Sequence, residues 1–210
     1  MINSKHKNII TLDLVDEKAS EQFAARLAAA LSRLLIPATE SAVQVDTERK
    51  IGGTRKSLDD SSSVATKQSS SAVAVVKTFS APLVVALSGD IGAGKTTIIR
   101  AMLKCLGVQS AIKSPTFSLV ESYTCNNLTI HHFDLYRIHH EDELEYLGFR
   151  DYFSNQSICF IEWAEHAGKS LPQVDIHFNL SIKGAGREMQ IQALSVAGKS
   201  ILDLVVLYGR

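Results

Sequence analysis

Residues 89–97 read GDIGAGKTT, and they follow closely on an unbroken apolar run, LVVAL, at residues 83–87. The stretch matches the pattern G-x-x-x-x-G-K-[ST] at every fixed position. A short apolar run is typical of a strand buried on both faces of a sheet. Residues 95–106, KTTIIRAMLKCL, are typical of a helix. The order of strand, glycine-rich loop and helix predicts a phosphate-binding loop in an α/β domain.

The loop has the residue types that a nucleotide triphosphate needs. Its glycines let the backbone turn N–H groups toward phosphate oxygens, and the following helix adds unpaired N–H groups and the positive end of its dipole. Lys95 is predicted to reach the outer phosphates, Thr96 to bind Mg²⁺ through its hydroxyl, and Thr97 to contact the inner phosphates. The predicted nucleotide-binding residues of the loop are Gly89, Asp90, Gly92, Ala93, Gly94, Lys95, Thr96 and Thr97.

Two further tetrapeptides, both AGKS, resemble the end of the phosphate-binding pattern. They stand at residues 167–170 and 197–200. Neither has a glycine five residues before its GK glycine, where Trp163 and Ala193 stand instead. Both tetrapeptides are therefore predicted to be polar loops without a binding role.

Two carboxylates are candidates for the chemistry beside the loop. A phosphate-binding loop of this kind needs an acid near the Mg²⁺, and open α/β sheets place such groups at the carboxyl ends of strands. Asp134 ends the run IHHFD, and Glu162 ends the run ICFIE. We predict that both are catalytic and face the metal, and the sequence leaves open which binds Mg²⁺ and which orients the attacking water. The alternatives are that Asp134 pairs with Arg137 or caps a turn, and that Glu162 is a solvated strand end.

The paired histidines do not favour a metal site, whereas a nearby turn allows two interpretations. His131 and His132 are adjacent on a predicted strand, so they point to opposite faces and cannot chelate one metal together. Residues 113–119, KSPTFSL, contain a proline-constrained turn. Thr116 in this turn is a candidate sensor of the γ-phosphate, and the alternative is that the segment is a plain turn.

The remaining segments predict helices and strands around the loop. Residues 16–36 repeat apolar side chains about every fourth position, which is typical of an amphipathic helix, and Asp16 is its predicted cap. A short helix is predicted at residues 141–148, ending at Gly148. Strands are predicted at residues 118–123 and 128–135, joined around Asn126-Asn127 as a first hairpin, and at residues 157–163. A second, antiparallel hairpin is predicted on both sides of residues 183–186. This order predicts an α/β layered domain of the P-loop NTPase type, with a mixed β-sheet flanked by helices.

The domain prediction divides the chain into three parts. Residues 1–37 provide an N-terminal strand and helix of the core, and residues 81–210 form the P-loop ATPase core. Between them, residues 38–80 change character, and seven of the fifteen residues 57–71 are Ser. A segment so poor in large apolar groups is predicted to be a flexible insertion.

Composition restricts the class of protein. Lys and Arg together number 22, as do Asp and Glu, so no overall basic field is present to grip nucleic acid. The three cysteines are scattered, which is typical of reduced thiols rather than of a disulfide framework. The sequence has no signal-peptide pattern and no apolar run of the roughly 18 residues that a membrane span needs. These observations predict a soluble, cytoplasmic protein without a membrane partner.

Six segments together resemble those of one family. GDIGAGKTT, KSPTFSLVESY, HHFDLYR, LEYLGFRDYF, FIEWAEH and GAGRE occur in this order and resemble the TsaE family, bacterial ATPases needed to make threonylcarbamoyladenosine at position 37 of tRNA. The likeness covers residues 12–36 and 82–205. The Ser-rich segment departs from the family, in which the first helix leads almost directly to the P-loop strand. A flexible loop adds little closure entropy per residue, so this departure is compatible with the same core.

The resemblance implies a set of site residues. ATP and Mg²⁺ would be bound by residues 89–97, with Thr96 as a metal ligand. Asp134 and Glu162 match the functional acids of the family. Trp163 matches the aromatic residue beside the second acid, and Arg187 lies in a matching GRE segment near the nucleotide.

The resemblance also implies partners. Family members hydrolyse ATP weakly alone and act with the TsaB–TsaD pair, in which TsaD transfers the threonylcarbamoyl group, so contact with tRNA would be indirect. Two alternatives remain at this point, namely a small-metabolite kinase and a nucleotide-binding scaffold that never hydrolyses. The loop alone does not separate them, because one fold hosts all three activities.

Overall fold

The computed structural model describes residues 8–35, 82–125 and 128–207 of the 210-residue chain. The Ser-rich segment predicted at residues 38–80 lies outside the described residues, as does the turn of the first predicted hairpin. Within the described ranges, no helix is both long enough and apolar enough to cross a membrane.

Seven strands form one mixed sheet whose central strands run parallel. The strands are β1 (Ile9–Leu14), β2 (Leu83–Gly89), β3 (Val120–Cys125), β4 (Leu128–Asp134), β5 (Ser157–Glu162), β6 (Ile176–Lys183) and β7 (Gly186–Ala193). Their order across the sheet is β1-β7-β6-β2-β5-β4-β3. Strands β1, β7 and β3 are antiparallel to their neighbours. The predicted mixed sheet is confirmed.

Helices cover both faces of this sheet. They are α1 (Glu17–Leu35), α2 (Lys95–Leu106), α3 (Asp142–Tyr146) and α4 (Val196–Leu207), with 3₁₀ segments at Phe149–Tyr152 and Ala164–Ser170. Helices α1, α2 and α4 share one hydrophobic core with one face of the sheet, and α3 and the 3₁₀ segments share a second core with the other. In the first core, Phe23 packs edge to face on Phe178, with 5.9 Å between the ring centroids. The predicted layered α/β arrangement is therefore confirmed as well.

The parallel strands bring three distant positions of the sequence to one edge of the sheet. Strand β2 ends at Gly89, β4 at Asp134 and β5 at Glu162. Asp134 and Glu162 are register partners across β4 and β5, and Leu87 of β2 lies opposite Glu162 on the other side. The glycine-rich loop and both candidate acids therefore share the carboxyl edge, where open α/β sheets bind their ligands.

Two predicted helices are confirmed in detail. Helix α1 lies within the predicted residues 16–36, and Oδ1 of Asp16 caps it by accepting a hydrogen bond from the Ala19 N–H at 2.7 Å. Helix α2 spans the predicted residues 95–106. The first hairpin is also present, although β3 begins two residues later than predicted, at Val120.

One prediction in the carboxyl half is wrong. Residues 197–200, predicted to be a loop, lie in helix α4. The Ser195 hydroxyl oxygen caps this helix by accepting a hydrogen bond from the Gly198 N–H at 3.1 Å. The buried apolar stripe of the helix consists of Ile201, Leu202 and Val205. It lies beyond the tetrapeptide, which explains why the polar segment alone did not indicate a helix.

Two shorter elements also differ from the prediction. Residues 167–170, predicted to be a loop, belong to a 3₁₀ segment in which Ala167 is fully buried. Helix α3 ends at Tyr146, and Gly148 does not close it but precedes the next 3₁₀ segment with a φ of 62°. The first of these segments is interrupted at Gly168, whose φ of 52° and ψ of −128° are not helical. Both elements are too short to show a periodic pattern.

Two histidines, the buried His131 and the partly buried His177, make stability depend on pH. Burial lowers the pKa of His131 and of His177, whose Nε2 lies 2.7 Å from the Ser88 hydroxyl. In the unfolded chain these groups titrate near an ordinary pKa of about 6.5. Below that pH the unfolded state binds more protons than the folded state, so stability decreases as the pH decreases. We expect the melting temperature to drop between about pH 7.5 and about pH 5.5, and less in a His177→Gln variant.

A matched control for this prediction is His139→Gln, because His139 is exposed. Melting curves of the three chains at both pH values test the assignment. An equal drop in all three would show that His177 does not contribute to the pH dependence.

Candidate active site

The loop at residues 89–96 wraps tightly because three of its glycines have positive φ. Gly89, Gly92 and Gly94 have φ values of 129°, 81° and 97°, which side chains with a Cβ rarely adopt. A Cβ added at Gly89 would lie 2.0 Å from the carbonyl oxygen of Leu180 on the neighbouring strand β6. Gly94 is the N-cap of α2, so the unpaired N–H groups of that helix open onto the loop.

Lys95 is held against the loop by three contacts. Its Nζ donates hydrogen bonds to the carbonyl oxygens of Gly89 at 2.6 Å and of Asp90 at 3.0 Å. The same ammonium lies 4.0 Å from the centroid of the Trp163 ring, a cation–π distance. Burial lowers the pKa of Lys95, while nearby carboxylates, chiefly that of Glu162, oppose this change. The ammonium is thus next to the loop before any phosphate arrives.

Glu162 is buried and hydrogen-bonded on two sides. Thr96 Oγ1 donates to Oε1 and Oε2 of Glu162 at 2.8 and 2.9 Å. His132 Nε2 lies 2.8 Å from Oε1 of the same carboxylate. Since Glu162 is 2% exposed, the alternative of a solvated strand end is wrong. The acid at the end of β5 directly contacts the hydroxyl predicted to bind Mg²⁺.

Asp134 joins the site to the segment 113–119. Thr116 Oγ1 donates to Oδ2 of Asp134 at 3.0 Å. The Tyr136 N–H donates to Oδ1 at 3.2 Å, so Asp134 also caps the turn after β4. The guanidinium of Arg137 lies over the Phe117 ring, 4.3 Å from its centroid, rather than on Asp134. Of the two alternatives for Asp134, the structure has the turn cap and not the ion pair.

A cavity of about 360 Å³ opens between the loop and the strand ends. It is lined by Ile91, Gly92, Gly94, Lys95, Thr96, Thr97, Thr116, Asp134, Tyr136, Glu162 and Trp163. The residues predicted to be catalytic, Lys95, Asp134 and Glu162, all line it. The structure therefore brings the loop, both acids and the Thr116 turn around one space.

The other predicted loop residues lie behind this lining. Gly89 and Asp90 supply the carbonyl oxygens that hold Lys95. Ala93 is 1% exposed and belongs to the hydrophobic core beneath α2. Gly89 and Asp90 therefore shape the loop through their backbone, and Ala93 supports it from the core, rather than lining the cavity.

Arg187 lies beside the loop but is directed toward helix α1. Its Nη1 donates to the Ser20 hydroxyl at 3.2 Å. A Cβ added at Gly94 would lie 2.9 Å from the same Nη1, so the guanidinium packs directly against the start of α2. Arg187 does not line the cavity in the described residues. Its predicted contact with nucleotide stays a prediction.

Sequence reasoning missed two features of the site. The sequence argues against a shared metal site of His131 and His132, but it does not indicate that His132 is hydrogen-bonded to Glu162. Tyr136 was not singled out, and its ring lies 5.1 Å from that of Trp163 at the mouth of the cavity. Trp163 has a φ of 59°, an unusual conformation for a bulky residue, and it turns the chain sharply after β5. The HHFD run carries a signal for His132, since alternate residues of a strand share one face with its terminal acid.

The residues present fit both a phosphate chain and Mg²⁺. Mg²⁺ prefers oxygen ligands, and the site offers the Thr96 hydroxyl with the carboxylates of Glu162 and Asp134. The loop amides, the α2 N-terminus and the Lys95 ammonium supply the donors and positive charge that phosphates need. Among the described residues, no cluster of three His, Cys, Asp or Glu side chains forms a metal site of its own.

Comparison with known proteins identifies relatives of the chain. A family model described as "Threonylcarbamoyl adenosine biosynthesis protein TsaE" matches residues 61–190. A Haemophilus influenzae protein named "tRNA threonylcarbamoyladenosine biosynthesis protein TsaE" is 46% identical over 121 residues, 58% of this chain and 77% of that protein. A Bacillus subtilis protein of the same name is 41% identical over 103 residues, 49% of this chain and 63% of that protein.

A solved structure shares the fold. The crystal structure of YdiB from Bacillus subtilis superposes with a TM-score of 0.60 at 19% sequence identity, covering 100% of this chain and 99% of that chain. At this identity the likeness bears on the fold, and it agrees with the mixed sheet and the flanking helices described above.

Proposed function

We propose that this chain, which belongs to the TsaE family, is a Mg²⁺-dependent ATPase that acts with TsaB and TsaD in threonylcarbamoylation of adenosine 37 of tRNA. The observation that carries the proposal is the contact of Thr96 with Glu162 beside the glycine-rich loop. In this proposal the Thr96 hydroxyl and the buried acid Glu162 would lie beside the outer phosphates of a bound nucleotide and could hold its metal ion.

Each residue of the cavity has a role in this proposal. The loop amides and Lys95 hold the phosphates, and Thr96 with Glu162 provides oxygen atoms for Mg²⁺. When bound, Mg²⁺ neutralises negative charge on the phosphoryl group that is transferred. Asp134 would then orient the attacking water. Its carboxylate lines the cavity beside Glu162, its register partner on the neighbouring strand. Thr116 bonds to Asp134, so movement of its turn would reach the water-orienting acid.

The proposal that TsaB and TsaD are the partners is supported by the family and by the residues that line the cavity. Within the described residues, the lining of the cavity includes no arginine that would close over a second phosphorylated substrate. Hydrolysis coupled to a protein partner requires a segment that moves with the nucleotide, and the candidate in this proposal is the turn at 113–119, because Thr116 bonds to Asp134. tRNA then enters the scheme through the TsaB–TsaD complex.

The test is ADP release by the purified chain, alone and then with TsaB–TsaD and tRNA. We expect slow release alone that rises when the partners are added, because the family members act within that complex. Lys95→Ala and Asp134→Ala chains serve as blanks and should lose the partner-dependent part. Normal turnover in both blanks would contradict the ATPase site. Release that requires a small metabolite instead of the protein partners would favour a kinase.

Nucleotide binding can be followed separately from hydrolysis. Trp163 is the single tryptophan of the chain, and its ring contacts Lys95 at the cavity. A nucleotide that draws Lys95 toward its phosphates should therefore change the emission of Trp163. This signal reports binding without any turnover.

A further inference from the structure

His132 stands at the border between the hydrophobic core and the site. It is fully buried on β4, with Phe160 of β5 as its register partner. Two residues earlier on the same face of β4 lies the fully buried Ile130, and two residues later lies Asp134. An imidazole therefore occupies a place whose neighbours on the core side are apolar.

Among the described residues the ring makes one polar contact, which is with the acid at the end of β5. Nε2 lies 2.8 Å from Oε1 of Glu162, the oxygen that Thr96 also approaches. Because a carboxylate only accepts hydrogen bonds, Nε2 carries the hydrogen and donates it. Nδ1 is buried and has no hydrogen-bond partner among the described residues.

This arrangement is costly for packing alone. A buried polar atom without a partner lowers stability, and an apolar side chain would fill the same place without that cost. This cost is offset by the hydrogen bond that the His132 ring donates to Glu162. The Glu162 side chain has several rotatable bonds. Two neighbours, His132 and Thr96, restrict its carboxylate to the orientation that faces the cavity.

We propose that His132 is a positioning residue whose Nε2–H fixes the Glu162 carboxylate beside Thr96, so that the oxygen atoms for Mg²⁺ are arranged before the metal–nucleotide complex binds. The inference rests on the proposed function of this site. Donors that orient a metal-binding group typically account for about 10–100-fold in metal affinity or activity. His132 touches neither substrate nor metal in this scheme, and it acts through Glu162.

The experiment measures the Mg²⁺ concentration that half-saturates ATP binding, by Trp163 emission. His132→Leu removes the donor, and we expect it to raise this concentration about 10–100-fold while ATP binding in chelator stays within a few-fold of the parent. His132→Gln restores an N–H near the position of Nε2, and we expect it to recover most of the Mg²⁺ response. Phe160→Leu is the matched control, because it disturbs packing at the same level of the sheet without touching the hydrogen bond.

The outcomes are distinct. A folded His132→Leu chain with the Mg²⁺ response of the parent would overturn the inference, as would a His132→Gln chain impaired as much as His132→Leu. A Mg²⁺ response lost equally in Phe160→Leu would assign the effect to packing and also overturn it. If His132→Leu does not fold, His132→Asn replaces it, since the shorter amide cannot reach Glu162. A parent chain that binds no nucleotide at all would overturn the proposed function, and the inference with it.

Discussion

A Glu162→Gln variant is expected to lose hydrolysis by at least about 10–100-fold, the loss that is typical when the groups that hold a catalytic metal ion are altered. The amide has nearly the same shape as the carboxylate. The amide oxygen still accepts the hydrogen bond from His132. The amide NH₂ group can donate to the Thr96 hydroxyl, because a hydroxyl oxygen accepts hydrogen bonds as well as donating them. The substitution therefore removes the negative charge and retains the packing. Steady-state ADP release, measured at saturating Mg²⁺ and ATP, checks the magnitude.

The matched control is Glu165→Gln. Glu165 is exposed, lies three residues further along the chain, and raises the pKa of Lys95 through space as Glu162 does. If local contact with Thr96 is what matters, Glu165→Gln should change hydrolysis little. An equal loss in both chains would instead show that the charge around Lys95, and not the Thr96 contact, controls the rate. Melting temperatures close to the parent would show that both chains remain folded.

The sequence was sufficient for the part of the fold that has a strong local pattern. The run 83–87, the loop and the helix at 95–106 were placed correctly, since apolar burial, glycine spacing and helical period all agree there. Helix α1 was predicted for the same reason. Helix α4 was missed because its first turn contains Gly198, a residue of low helix propensity, and its buried stripe is short. Its cap, Ser195, bonds to Asp175, a residue twenty positions earlier, and such a contact has no signature in a local window.

Both acids and the loop of the candidate site could be predicted from the sequence, but their contacts could not. The ends of two apolar runs indicated Asp134 and Glu162, because strand ends meet at one edge of a parallel sheet. The partner of each acid follows from register, which a single sequence does not reveal. His132 illustrates this limit. Its position on the Asp134 face was predictable from alternation along β4, but its bond to Glu162 depends on β5 lying beside β4 in that particular register.

A Gly198→Ala variant is expected to be the most destabilising single-methyl change in helix α4. Gly198 lies in the first turn of the helix, where the backbone approaches the end of the segment before β6. A Cβ added there would lie 1.8 Å from the carbonyl oxygen of Asp175 and 2.7 Å from its carbonyl carbon. Backbone atoms cannot move aside as the tip of a flexible side chain can. The glycine that made residues 197–200 resemble a phosphate-binding loop is thus explained by close helix packing.

The backbone around Gly198 has little room to yield. The Asp175 carbonyl also accepts the Leu194 N–H at 2.8 Å, and the Asp175 carboxylate binds Ser195 and the Val84 N–H. Moving α4 away would therefore disturb a partly buried junction in which Asp175 links β2 to the start of the helix. Overpacking usually costs about 1–3 kcal/mol, and a clash with backbone belongs at or above the top of that range.

For a domain of this size, about 3 kcal/mol corresponds to a fall of roughly 6–12 °C in melting temperature. The control is Ser200→Ala, which alters the same helix two residues on, where the side chain bonds back to the Val196 carbonyl and is partly exposed. We expect that control to melt within about 2 °C of the parent, since alanine has the higher helix propensity. Equal melting of the Gly198→Ala chain and the parent would mean that α4 is held further from Asp175 than the structure places it. A fall confined to Gly198→Ala would show that the glycine is required by packing, independently of any nucleotide.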